Sequence, residues 1–195
     1  MTKYYMKDIF QQHQYEVLNS KGEKTSELKW YLDIHRDGDW HRGVHIYIVN
    51  DSGEILLHKR SVFVHTYPNL WENSCGGHVD LGETSLETAH KETKEELGVD
   101  IPKEQFLHIG TIIDQYAYNT TLHGPCINNE FDDIFVVRVP NQNIAIKTST
   151  DEVAETRWIP WQDLKIELET HPELHVPRGE EYKILFKYLE KMFAK

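Results

Sequence analysis

The sequence has no run of basic residues. Over 195 residues, 32 Asp and Glu outnumber 21 Lys and Arg, giving a formal net charge of −11. Such a chain is poorly suited to gripping nucleic acid or an anionic membrane through a basic face. An anionic small molecule would also be repelled unless a cation stood between the two. Cysteine is scarce. Cys75 and Cys126 are the only thiols, too few for a secreted disulfide framework, and both read as buried small apolar residues. No apolar run reaches the roughly 18 residues of a membrane span, and the opening MTKYYMKDIF lacks a signal-peptide core. The expectation is a soluble, cytoplasmic protein with neither a membrane nor a nucleic-acid polymer as partner. Internal repeats and low-complexity stretches are also missing. What remains is 39% apolar and 11% aromatic, enough to bury a core in one domain.

Turn residues divide the chain into short strands and a few helices. Tyr15–Lys24 reads as a strand and a Gly turn, and Ser26–His41 ends in an Asp-Gly-Asp loop. Val44–Ser61 has two apolar runs around Asp51-Ser52-Gly53, the pattern of a hairpin. Val62–His78 reads as loop and short strand. Phe106–Thr120 and Glu130–Val139 are strand-like, and Thr156–Leu164 runs from strand into helix. Near the end, Tyr182, Leu185, Phe186 and Leu189 recur at helical spacing, so this segment is an amphipathic helix packed on the sheet. Mixed strands and helices imply a layered α/β (α+β) domain.

One helix gathers like charges. Thr84 with Glu87 is a capping box, and Gly98 is a stop signal. Between them Leu86, Ala89, Thr93 and Leu97 form a stripe that must face the core. Glu92, Glu95 and Glu96 fill a separate arc of about 100° beside it. Like-charge i,i+4 pairs cost a few tenths of a kcal/mol each, about the size of a favourable pair. A solvated face with Lys91 and Lys94 nearby would account for that. That is the usual reading of an acidic helix; the sharper one is a divalent cation, because hard ions take carboxylate oxygens and cancel their repulsion, and the glutamates alone do not decide between the two.

The spacing around these glutamates decides between the two. Gly77, five residues, Glu83, seven residues, then Lys91-Glu92-Thr93-Lys94-Glu95-Glu96-Leu97-Gly98-Val99 resembles the Nudix box. Lys91 stands where that pattern has Arg, and Thr93 where it has an aliphatic residue. The resemblance implies a Nudix-type α/β/α sandwich with a mixed sheet and a loop–helix–loop metal site. It would occupy residues 40–195, with 1–39 as an N-terminal extension. It implies Mg²⁺ or Mn²⁺ held by Glu92, Glu95, Glu96 and the Gly77 carbonyl, with Glu83 braced by Lys91. The expected chemistry is attack of water on a small-molecule diphosphate linkage. Of the later strand, Glu130 and Asp132 would share one face and join the catalytic set, with Asp133 on the other. Arg60 is a candidate phosphate contact.

A second resemblance competes. DIHRDGDWHRGVHIYIVN and PNLWENSCGGHVDLGET are similar to the isopentenyl diphosphate isomerase-like subgroup. Trp71, Asn73, Ser74 and His78 match that pattern, and His41 and His78 fall at its metal-ligand positions. Its catalytic Cys position, however, holds Gly76, and Cys75 lies one place early, which on an extended segment aims it at the opposite face. Three box glutamates, where the isomerase keeps one, favour hydrolysis. An isomerase and a non-catalytic nucleotide sensor stay open as alternatives, as does a homodimer. No motif names the group attached to the diphosphate.

Overall fold

The computed structural model describes residues 13–120, 124–140, 144–148 and 152–194. The opening segment read above for a signal peptide lies outside them. In chain order the strands are β1 (Gln14–Leu18), β2 (Lys24–Trp30), β3 (Trp40–Asn50), β4 (Glu54–Arg60), β5 (Trp71–Glu72), β6 (Cys75–His78), β7 (Phe106–Thr120), β8 (Gly124–Val139) and β9 (Val153–Pro160). The helices are α1 (Tyr31–Asp37), α2 (Ser85–Leu97), α3 (Trp161–Thr170) and α4 (Gly179–Met192). Among the described residues no helix is long and apolar enough to cross a membrane.

β3 is the hub. It pairs antiparallel with β1, β4 and β6 and parallel with β8, while β7 extends β8 and β9 extends β4. Its side chains alternate between two layers. Val44, Ile46 and Ile48 pack with Leu56, Phe135 and Val137 beneath Ala89 and Leu97 of α2. Tyr47 and Val49 pack with Leu57, Ile134 and Val136 against Leu185, Phe186 and Leu189 of α4. Helices therefore cover both faces of a mixed sheet, the α/β/α sandwich.

The local signals act as their chemistry dictates. The side chain of Thr84 accepts the Glu87 amide and Glu87 reaches back to the Thr84 amide, so α2 starts on a full capping box. Gly98 ends it in the left-handed region at φ 67°, which glycine enters without a Cβ penalty. The C-terminal stripe is buried as its spacing requires. Two boundaries differ from the sequence reading. The Asp-Gly-Asp loop is preceded by a helix, α1, whose seven residues are too few for periodicity to reveal. Strand β8 starts at Gly124 rather than Glu130, because it forms a long ribbon with β7 whose pairing runs to Thr120↔Gly124.

Candidate functional site

The parallel β3–β8 register assembles one half of the site. It sets His41 beside Glu130 and Gly43 beside Asp132, all on the α4 face of the sheet. A Cβ on Gly43 would stand 2.8 Å from the Glu130 carboxyl carbon and closer still to oxygens of Glu130 and Asp132. Both carboxylates thus occupy room that only glycine leaves. Strand β6 brings His78 opposite Gly43, and α1 supplies His35. Ligand atoms of His35, His41 and His78 lie within 4.8 Å of one another. The Nε2 atoms of His41 and His78 are 3.7 and 3.6 Å from Glu130 Oε1. His41 Nδ1–H donates to the Asp39 carbonyl at 3.1 Å and His35 Nδ1–H to the Tyr31 carbonyl at 2.9 Å. These bonds fix the tautomers so that Nε2 lone pairs remain for a ligand.

The other half lies along α2. Glu96 is buried, Glu92 partly so and Glu95 exposed. Glu96 Oε1 accepts the Gly76 amide at 3.2 Å. The Glu92 carboxyl sits where a side chain on Gly77 would be, 2.7 Å from the position of its Cβ. Lys91 Nζ reaches Glu83 at 3.1 Å and also contacts Asp80, so it braces the box loop. The halves meet at β6: Tyr15, buried against His78, has its hydroxyl pKa raised by burial and by both Glu92 and Glu130, among other groups.

Charge within this site is out of balance. Burial raises the Glu92 pKa to about 8; Lys91 relieves part of this, while Glu95, Glu152 and Asp80 push it further up. Glu96 is pushed well above the carboxylate range by burial and then by Glu92 and Glu152. Asp132 is likewise raised, by burial and then by Glu130. For Glu130 burial acts upward too, but the surrounding imidazoles, His78 first, outweigh it and hold it low. Two carboxylates this close do not both ionise without a cation. His35 is lowered to about 3 by burial and its imidazole neighbours, and His78 to about 4, chiefly by burial; both are neutral at pH 7, as ligands must be. Both Asp132 oxygens and Nε2 of His41 and of His78 are buried without a hydrogen-bond partner. Orphaned acceptors, neutral imidazoles and glycine-cleared space fit divalent metal. The imidazole half suits transition ions, the carboxylate half Mg²⁺ or Mn²⁺.

Glu83, Lys91, Glu92, Glu96 and Gly77 gather along α2, with Glu95 at the exposed edge, and His41, His78, Glu130 and Asp132 gather on the α4 face of the sheet. Asp133 turns away to Arg42, Ser85 and Thr111. Arg60 is a correction: its guanidinium is bound to the buried Glu72 and to the Thr66 carbonyl, so it does not present itself to a phosphate. His35 and Glu152 were missed. His35 sits six residues before His41, yet only the α1 turn brings the rings together. Glu152 lies far along the chain, and no local pattern ties it to α2. Cys75 is fully buried under α2, its Sγ 3.5 Å from Thr93 Oγ1, on the face opposite His78.

With its three box carboxylates on a capped helix beneath a mixed sheet, the chain belongs to the Nudix family, and the NUDIX domain model matches residues 39–179. It is 36% identical over 84% of its length to Nudix hydrolase 3 of Arabidopsis thaliana, of which it spans only 21%. It is 32% identical to an isopentenyl-diphosphate Delta-isomerase of Cereibacter sphaeroides, covering 84% of this chain and 87% of that one. Among solved structures, DR0079 from Deinococcus radiodurans superposes with a TM-score of 0.63 at 18% identity, over 88% of this chain and 96% of that one; this is a likeness of fold.

Proposed function

We propose that the chain is an Mg²⁺- or Mn²⁺-dependent hydrolase that cleaves a diphosphate linkage in a nucleoside diphosphate joined to another group, or in a related organic diphosphate. The observation that carries this reading is the set of buried carboxyls, Glu92, Glu96 and Asp132, in surroundings that disfavour their charged forms. Glu92, Glu95, Glu96 and the Gly77 carbonyl would hold one ion, and His35, His41 and His78 would suit a second. When bound, such ions polarise phosphoryl oxygens, lower the pKa of water and offset developing charge. The chain's own cations supply little of that. Arg42, Lys91 and Arg178 already face carboxylates at 2.9, 3.1 and 2.8 Å, and Arg60 is tied to Glu72. Glu130, kept ionised by its imidazole neighbours, is the proton acceptor for the attacking water. Asp132, favoured as the acid while no cation is present, would give up its proton when a cation takes its oxygens.

Isomerisation is the second reading, favoured by the relatives named as isomerases and by the histidine cluster. Against it, Gly76 has no side chain, and a Cβ there would lie 2.6 Å from the Val44 carbonyl oxygen. Cys75 is no substitute, since burial raises its pKa well above the thiol range and it faces the core. A ³¹P NMR screen of nucleoside diphosphates, dinucleotides and isopentenyl diphosphate with Mg²⁺ and Mn²⁺ separates the readings. Hydrolysis gives phosphate or a monophosphate, and Glu96→Gln should cut its rate by about tenfold to a hundredfold or more. Interconversion of five-carbon diphosphates without phosphate release would replace this proposal with the isomerase, and saturable binding without turnover would replace it with a sensor.

A further inference from the structure

Deep behind the candidate site lies a chain of polar groups that the hydrolase reading does not use. Glu181, in the first turn of α4, is fully buried among Tyr182, Leu185 and Phe186 of the α4 core layer. Its Oε1 accepts the Tyr47 hydroxyl at 2.6 Å and its Oε2 accepts His45 Nδ1–H at 2.9 Å. The other ring nitrogen of His45 is 3.7 Å from Asp132 Oδ1. Asp132 is 1% exposed, and neither of its oxygens has a hydrogen-bond partner.

A buried acid of this kind needs a reason, because well-packed apolar residues usually serve stability as well or better. Clamping α4 to the sheet is not a sufficient one. Arg178, just before the helix, already does that by donating to Glu72 at 2.8 Å. The carboxylate–imidazole–carboxylate order is instead the arrangement by which proteins orient a ligating side chain from behind.

We propose that His45 and Glu181 are a positioning pair for Asp132: Glu181 fixes the His45 ring through Nδ1, and Nε2 holds one oxygen of Asp132 so that the other is aimed at a divalent cation. The proposal rests on the reading of this site as a metal centre. It extends the functional unit to the C-terminal helix, making α4 part of the site and not only a cover for the sheet.

The test is Mn²⁺ affinity measured by electron paramagnetic resonance on the full chain. Glu181→Gln and His45→Gln should each weaken Mn²⁺ binding about tenfold or more, as should Asp132→Asn. Lys165→Ala, which breaks an exposed ion pair between α3 and Glu190, should leave the dissociation constant within about twofold of wild type, as for a distant site with no shared partner. If Asp132→Asn weakens binding and the other two site variants do not, the positioning pair is overturned while the metal reading stands. If wild type binds no Mn²⁺, or Asp132→Asn is without effect, the metal centre at Asp132 and this inference fail together. Should Glu181→Gln not fold, imidazole ¹⁵N spectra of wild type decide. One equivalent of diamagnetic Zn²⁺ should move the His45 Nε2 resonance, and an unmoved resonance contradicts the proposal.

Discussion

Gly43 is the residue whose smallness the site depends on most. Its missing Cβ leaves the space that Glu130 and Asp132 fill, so Gly43→Ala forces those carboxylates apart. We expect that variant to fold, by circular dichroism, and to lose most of its Mn²⁺ affinity in a titration; wild-type affinity would show that the two carboxylates take no part in binding. Cys75 gives the opposite expectation. Its thiol packs with Ala89 and Leu97, so Cys75→Ala should lower stability by on the order of 1 kcal/mol and leave turnover within about twofold, as for a residue outside the reacting groups. Abolished turnover with an unchanged melting temperature would favour the isomerase. Glu72 carries the largest structural stake, lying buried between Arg60, Arg178 and His58. Removing one partner of a buried ion pair costs about 3–5 kcal/mol, so Glu72→Ala should unfold at markedly lower denaturant, and an unchanged midpoint would mean that the arginines find other partners.

At the scale of elements, two pairings build the site: β3 with β8, and β6 with β3. Helix α2 must enter at a set angle for Glu92 and Glu96 to meet Gly77 and Gly76, and its capping box sets that entry. Thr84→Ala should cost about 1 kcal/mol, read as a lower urea midpoint, and should weaken metal binding as well. Loss of stability with no change in metal affinity would show that the cap holds the helix but does not aim it. Most of α2 was legible because its cap, stripe, stop and glutamates are all local to one segment. The alternation that puts Glu130 and Asp132 on one face was legible for the same reason. The pairing of β3 with β8 was not, since it joins His41 to Glu130 across most of the domain. α1 was hidden by its length, and with it His35. Arg60 was misread because its partner, Glu72, sits on a two-residue strand that only the fold brings alongside.

At the scale of the whole molecule, the proposed reading makes stability depend on pH and metal together. Glu92 has its folded pKa raised from 4.5 to about 8, so the native state keeps a proton that the unfolded chain has lost. His45 is raised from 6.5 to about 9, because Asp132 and Glu181 outweigh burial and Arg178, and it too holds its proton longer when folded. Glu92 makes the metal-free protein less stable as pH climbs from 4.5 to about 8 and His45 as it climbs from 6.5 to about 9, so both act together between about 6.5 and 8. His35 and His78, depressed to about 3 and about 4, oppose Glu92 below 6.5, where the unfolded chain takes up their protons. The clean window is therefore the alkaline one. Melting temperatures in chelator should fall across it, and Mg²⁺ should raise them most at its upper end, where protons no longer compete for Glu92. A metal-induced shift that shrinks with rising pH would contradict this.

The most direct test of the account is an anomalous difference map from crystals soaked in Mn²⁺. The account predicts a peak bounded by Glu92, Glu96 and the Gly77 carbonyl. A map with no density there at saturating Mn²⁺, the glutamates facing only water, would contradict it.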